Sequence, residues 1–131
     1  MRHAQDRDFI ETSDLNVEEI LRMYTVLLEF YSELETVSAV IFKELERGSP
    51  VRIIQANLEV KMLVAEKILR QSHIIAEMKK AIFEEAACGE GDRRRVRKCD
   101  ELLTITVNRI IEQENRGRDL VMRQGMKIER R

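Results

Sequence analysis

From residue 17 to residue 45, apolar side chains return in alternating steps of three and four: Val17, Ile20, Tyr24, Leu27, Tyr31, Leu34, Ile41 and Leu45, with Ser38 in register. A 3.5-residue repeat held this long predicts a helix whose seam faces other helices. Leu21, Met23, Leu28, Phe30, Val37 and Phe42 flank the seam, so the stripe is wider than a two-stranded coil needs and should meet two neighbours. Asn16 with Glu19 forms a capping pair, and Leu15 before it can staple to Ile20. The first helix is therefore expected over residues 17–47.

Gly48, Ser49 and Pro50 punctuate the chain next. Glycine suits the left-handed position after a helix, serine can cap, and proline opens a helix without losing a hydrogen bond. So short a link turns the second helix back antiparallel. Its apolar positions are Val51, Ile54, Leu58, Ala65, Ile68, Leu69, Ile75, Ile82 and Phe83, with Lys61 and Lys79 interrupting the face. A helix over 50–87 would be roughly 55 Å long. The stretch Gly89-Glu90-Gly91-Asp92 makes the second turn, with Asp92 as the expected cap of a third helix over 92–129. That helix shows Val96, Cys99, Leu103, Val107, Ile110 and Ile111, after which residues 112–119 carry no apolar side chain. Gly117 costs about 1 kcal/mol relative to alanine inside a helix, so the bundle is expected to lose its grip there. Residues 1–14 read as a frayed or short helical leader. The fold class is all-α: one domain, an antiparallel, coiled-coil-like bundle of three long helices.

Composition agrees with long solvated helices: 36% charged residues, one proline, five glycines, no tryptophan and 5% aromatics among 131 residues. No apolar run is long enough to span a membrane, and the first residues lack the apolar core of a secretory signal, so a cytoplasmic location is expected. In that reducing compartment Cys88 and Cys99, on either side of the second turn, are expected as free thiols. The net charge of −1 hides an asymmetry. Residues 11–47 hold nine acids and three bases, whereas residues 93–131 hold twelve bases and six acids. The first and third segments should attract each other, which gives the run Arg93-Arg94-Arg95-Val96-Arg97-Lys98 a use other than phosphate binding.

The sequence offers little catalytic chemistry. His73 is followed by Ile74, Ile75, Ala76 and Glu77, not by the lysine and small residue expected after a phosphotransfer histidine. Neither histidine has a glutamate three residues before it, as a di-iron bundle needs. Zinc motifs and phosphate-binding glycine loops are missing as well. Lys61 alone suggests a charged pocket, and a lysine snorkelling at a bundle edge is the plainer explanation. The expectation is a protein that is not an enzyme and uses neither a metal nor a cofactor.

The tail is different. Leu120, Val121, Met122, Met126 and Ile128 follow the polar gap, and Val121, Met122, Met126 and Ile128 come close to a stripe. Such a segment is marginal as an isolated helix. Spacing leaves two outcomes open: it gains order by burying its apolar side in a partner, to which flexible methionines adapt, or it packs back on the first helix or frays.

The plan of long antiparallel helices, with Leu58-x-x-Lys61-x-x-Val64 on the second and Asn115-x-x-Arg118-x-x-Val121-Met122 on the third, resembles the FlgN-type and related FliT-type flagellar export chaperones from about Val17 onward. Arg118 stands where the family pattern has a second asparagine. The resemblance implies a cytoplasmic chaperone that holds flagellar subunits of the hook–filament junction type, through its C-terminal amphipathic helix, and delivers them to the export apparatus. The partner-binding residues would then be Asn115, Arg118, Leu120, Val121, Met122, Met126 and Ile128, with neither a small-molecule substrate nor a membrane span. Two alternatives come from other classes. One is a structural coiled-coil adaptor or homodimer pairing through the wide face of the first helix; the other is a basic helical nucleic-acid binder, disfavoured by the near-neutral charge.

Overall fold

A computed structural model of the chain describes residues 17–85 and 89–129, with the side chains of 84, 85, 120, 121 and 124–129 left out. Three helices pack up, down and up: α1 (Val17–Arg47), α2 (Val51–Lys80) and α3 (Glu90–Glu129). No strand occurs among the described residues. The α1 seam is inward as its spacing predicts: Val17, Ile20, Tyr24, Leu27, Ser38 and Ile41 are buried. Both other helices lie along α1 and touch each other at few points, so α1 meets two neighbours. Its broad apolar stripe is thereby largely covered within the chain, with Leu28, Phe30, Val37 and Phe42 half-buried, which leaves the alternative of a homodimer through that face less apolar surface to use. The capping pair at Asn16 and the staple at Leu15 lie outside the described residues.

The α1–α2 link closes as a Schellman turn. Gly48 has φ +69°, its N–H donates to the Leu45 carbonyl at 3.2 Å, and the Ser49 N–H donates to Glu44 at 3.0 Å. Ser49 does not cap α2. Its hydroxyl turns back to the Glu44 carboxylate, while Pro50, extended at φ −56° and ψ 145°, precedes the helix and its carbonyl accepts from the Ile53 N–H at 3.0 Å.

Burial on α2 differs from the expected face. The inward line is Val64, Ile68, Gln71, Ile75 and Met78, whereas Val51, Leu58 and Leu69 are 68%, 42% and 73% exposed and Ala65 faces solvent. Two apolar stripes run along α2, and only one meets α1. Gln71 joins the buried line at little cost because its amide donates to the Met23 carbonyl at 3.1 Å. The last turn of α2 widens into a π turn at Ala81–Glu85, with Ile82 buried and Phe83 half-buried beneath the Arg93 guanidinium at 5.3 Å. Helix α3 begins at Glu90, earlier than expected. The Gly89 carbonyl accepts from the Arg93 N–H at 3.1 Å, so Asp92 lies within the first turn instead of capping it, and it pairs with Arg95 at 3.6 Å.

The largest fully buried side chains, Tyr24, Ile20, Leu27 and Val96, lie where the start of α1, the end of α2 and the start of α3 converge. Toward the other end small and polar positions join the buried set, Ser38, Thr106 and Gly117, among the apolar Ile41, Val64, Ile68 and Ile110. There the expected loss of grip at Gly117 is overturned. The glycine is buried, and a β-carbon on it would stand 2.5 Å from Phe42 Cζ, well inside carbon–carbon contact distance. Its missing side chain lets α3 lie directly on the Phe42 ring, so the helix continues through it to Glu129.

Candidate functional site

Two polar clusters fix how the helices are registered. In the first, the Tyr24 hydroxyl donates to Asp100, whose other oxygen takes Lys79 Nζ at 2.9 Å. In the second, Glu114 accepts from the Ser38 hydroxyl at 2.7 Å and from Lys61 Nζ at 2.7 Å. Each cluster takes one residue from each helix, and both α1–α3 pairs are separated by 76 residues in sequence, an offset kept constant over two heptads as two parallel helices in one register require. Lys61 is thus an ion-pair donor with 27% side-chain exposure, not merely a snorkelling lysine.

These contacts set the local electrostatics. Burial first, then the hydrogen bond and charge of Asp100, push the Tyr24 phenol above its ordinary value. For Glu114, burial works upward, but the hydrogen bonds from Lys61 and Ser38 and the charges of Lys61 and Arg118 outweigh it, so its pKa falls below the usual carboxylate value. Burial and the Asp100 charge raise the Cys99 thiol against the opposing charge of Arg95, so this free cysteine is a poor nucleophile. Cys88 lies outside the described residues. No group of His, Cys, Asp and Glu suited to a metal occurs among the described residues, and His73 is exposed on α2.

The expected attraction between the first and third segments is realised in two pairs. Arg95 meets Glu18 at 2.7 Å and Arg109 meets Glu35 at 2.6 Å, and in each case the carboxylate raises the arginine's pKa. At about 100° per residue the basic run of 93–98 winds around α3 instead of forming one stripe. Val96 is buried within it, Arg95 faces α1 and Arg93 covers Phe83. That geometry weakens the nucleic-acid alternative, because a phosphate backbone is met by a stripe of cations.

On α3 the positions that touch α1 and those turned away separate cleanly. Val96, Thr106, Ile110 and Gly117 are buried, whereas Asn115 and Arg118 are exposed and Met122 is 60% exposed. Asn115, Arg118 and Met122, spaced by three and four, share one face with Ile111, which is 49% exposed although its spacing suggested a seam position. The structure therefore brings three of the expected partner-binding residues together on an outward face. The side chains of Leu120, Val121, Met126 and Ile128 are outside the described set, though their backbone continues α3.

That face borders the α2 stripe. Asp100 and Glu114 on α3 are reached by Lys79 and Lys61 on α2, so the side of α3 carrying Ile111 and Met122 is the side turned toward α2. By the same geometry Leu58, Met62 and Leu69, with 42%, 65% and 73% exposure, lie on the outer surface of α2, roughly 120–160° around from its buried line and on the side where Lys61 and Lys79 reach α3. Sequence reasoning missed this second wall. Its signal was the heptad-like spacing of Leu58, Met62, Ala65, Leu69 and Ala76, a seam distinct from the one through Val64 and Ile68.

No family model, curated protein or solved structure matches the chain. No helix among the described residues is long and apolar enough to cross a membrane.

Proposed function

We propose that this chain is a non-enzymatic binding protein that captures an amphipathic helical segment of a client, in the manner of a cytoplasmic flagellar export chaperone. The observation that carries the reading is the outward face of α3. Met122 is 60% exposed, beside Asn115 and Arg118, on a helix that Gly117 holds firmly against Phe42 on its other side. An apolar side chain presented by an anchored helix has no internal role, and covering it with a partner's apolar face is the ordinary source of helix-in-groove affinity. The motifs at Leu58-x-x-Lys61-x-x-Val64 and Asn115-x-x-Arg118-x-x-Val121-Met122 are what suggest flagellar junction subunits as clients and delivery to the export apparatus as the outcome.

The test is co-purification of the chain with the hook–filament junction subunits of its source organism, comparing the unchanged protein with Met122→Asp. Capture should be lost in the variant while its melting temperature stays within about 2 °C of the parent, because an exposed position contributes little to stability. Retained capture, or a large drop in melting temperature, would count against the reading.

A further inference from the structure

Resting on that client reading, we infer that the binding site is the whole groove between α2 and α3, and that its occupant is an amphipathic helix from another protein whose apolar stripe is edged by carboxylates along the α3 side. The two helices lie on α1 and meet each other at few points, including the ion pairs Lys61–Glu114 and Lys79–Asp100. Above these pairs the walls are apolar and open: Leu58, Met62 and Leu69 on α2, Ile111 and Met122 on α3. A helix laid there would complete a four-helix arrangement and bury both walls.

Charge selects which helix fits. The arginines of α3 on the α1 side, Arg95 and Arg109, are satisfied by Glu18 and Glu35. Arg97 and Arg118, on the groove side, make no ion pair among the described residues. Arg118 acts on Glu114 only through its field. Of the carboxylates between them, Asp100 and Glu114 are already held by α2 lysines, while Glu101 shares a shallow hollow with Arg97 one turn away. The α3 side therefore presents Arg97 and Arg118 without an ion pair, roughly 30 Å apart, with Ile111 exposed between them and Met122 one turn beyond Arg118. A second copy of this chain cannot answer them well. Its acidic helix is α1, and the apolar stripe of α1 is buried against α2 and α3.

Three synthetic helices of about twenty residues, identical in their leucine stripe and carrying glutamate, glutamine or lysine along one edge, provide the test with the full-length protein. Fluorescence anisotropy at low salt should rank them glutamate, glutamine, lysine, with about tenfold between the extremes, and the spread should narrow as salt screens the rim charges. The double variant Arg97→Glu with Arg118→Glu should reverse the ranking, whereas Leu69→Asp should weaken all three, with circular dichroism confirming unchanged helicity. Equal binding of the three peptides, or a ranking unmoved by the double variant, would overturn the charge assignment while leaving client capture standing. Binding of none would remove the client reading as well. A concentration-dependent dimer that excludes the peptides, or duplex DNA displacing the acidic peptide, would assign the groove to a different occupant and overturn the inference.

Discussion

Replacing Gly117 with alanine sets two effects of similar size against each other, and the structure decides the sign. In an ordinary helix interior the change is stabilising by about 1 kcal/mol, because alanine loses less backbone freedom on folding. Here the new methyl would lie 2.5 Å from Phe42 Cζ, where carbon pairs normally rest at roughly 3.5–4 Å, so the ring or the helix must retreat by about 1 Å. Overpacking of this kind costs about 1–3 kcal/mol. The half-buried ring caps that cost, since it can swing outward and forfeit part of its burial. The net expectation is destabilisation of about 1 kcal/mol, a fall of roughly 4 °C in melting temperature for a chain of this size. Removing the ring reverses the sign. Phe42→Ala alone should cost about 2 kcal/mol, below the roughly 3–5 kcal/mol of buried aromatic truncations because this ring is only half-buried, and in that background Gly117→Ala should stabilise by about 1 kcal/mol. Urea denaturation of the four proteins gives a coupling energy of about 2 kcal/mol. If Gly117→Ala stabilises the parent as much as it stabilises Phe42→Ala, the glycine is not a packing glycine and α3 does not rest on Phe42.

Other consequences are as direct. The pKa of Glu114 is lower folded than its ordinary 4.5, so its contribution is present above that value and is lost as the pH falls through the folded pKa; Lys61→Met should raise the Glu114 pKa, read by NMR titration, and cost about 1 kcal/mol at neutral pH for this half-exposed pair. Tyr24 has the opposite sign: its raised pKa means stability is full below the ordinary 10.0 and declines as the pH climbs above it, a loss that Tyr24→Phe should remove from the alkaline melting curve. Gly48→Ala forces an L side chain to φ +69° and should destabilise by about 1 kcal/mol in thermal unfolding, with Gly48→Asn milder because asparagine tolerates that region better.

The bundle class, the seam of α1 and the Schellman turn at Gly48 were legible from the sequence because each follows from local rules: a helical period, or a backbone angle that few residues adopt. The attraction of α1 for α3 was legible too, since opposite charge blocks on neighbouring helices find partners whatever the detailed packing, as Glu18–Arg95 and Glu35–Arg109 do. On α2 the period alone could not choose. Two apolar stripes compete there, and which one meets α1 depends on the rotation of the helix, a tertiary quantity fixed by Val64, Ile68 and Ile75 packing inward and by Gln71 bonding to Met23. That choice leaves Leu58, Met62 and Leu69 on the groove. Gly117 shows the same limit from the other side: along the chain it carries only a propensity penalty, while its use lies in admitting Phe42 from a helix far away in sequence. Periodicity and caps are properties of neighbours along the chain, whereas close approach and rotational setting belong to pairs of helices, and only the packed molecule holds that information.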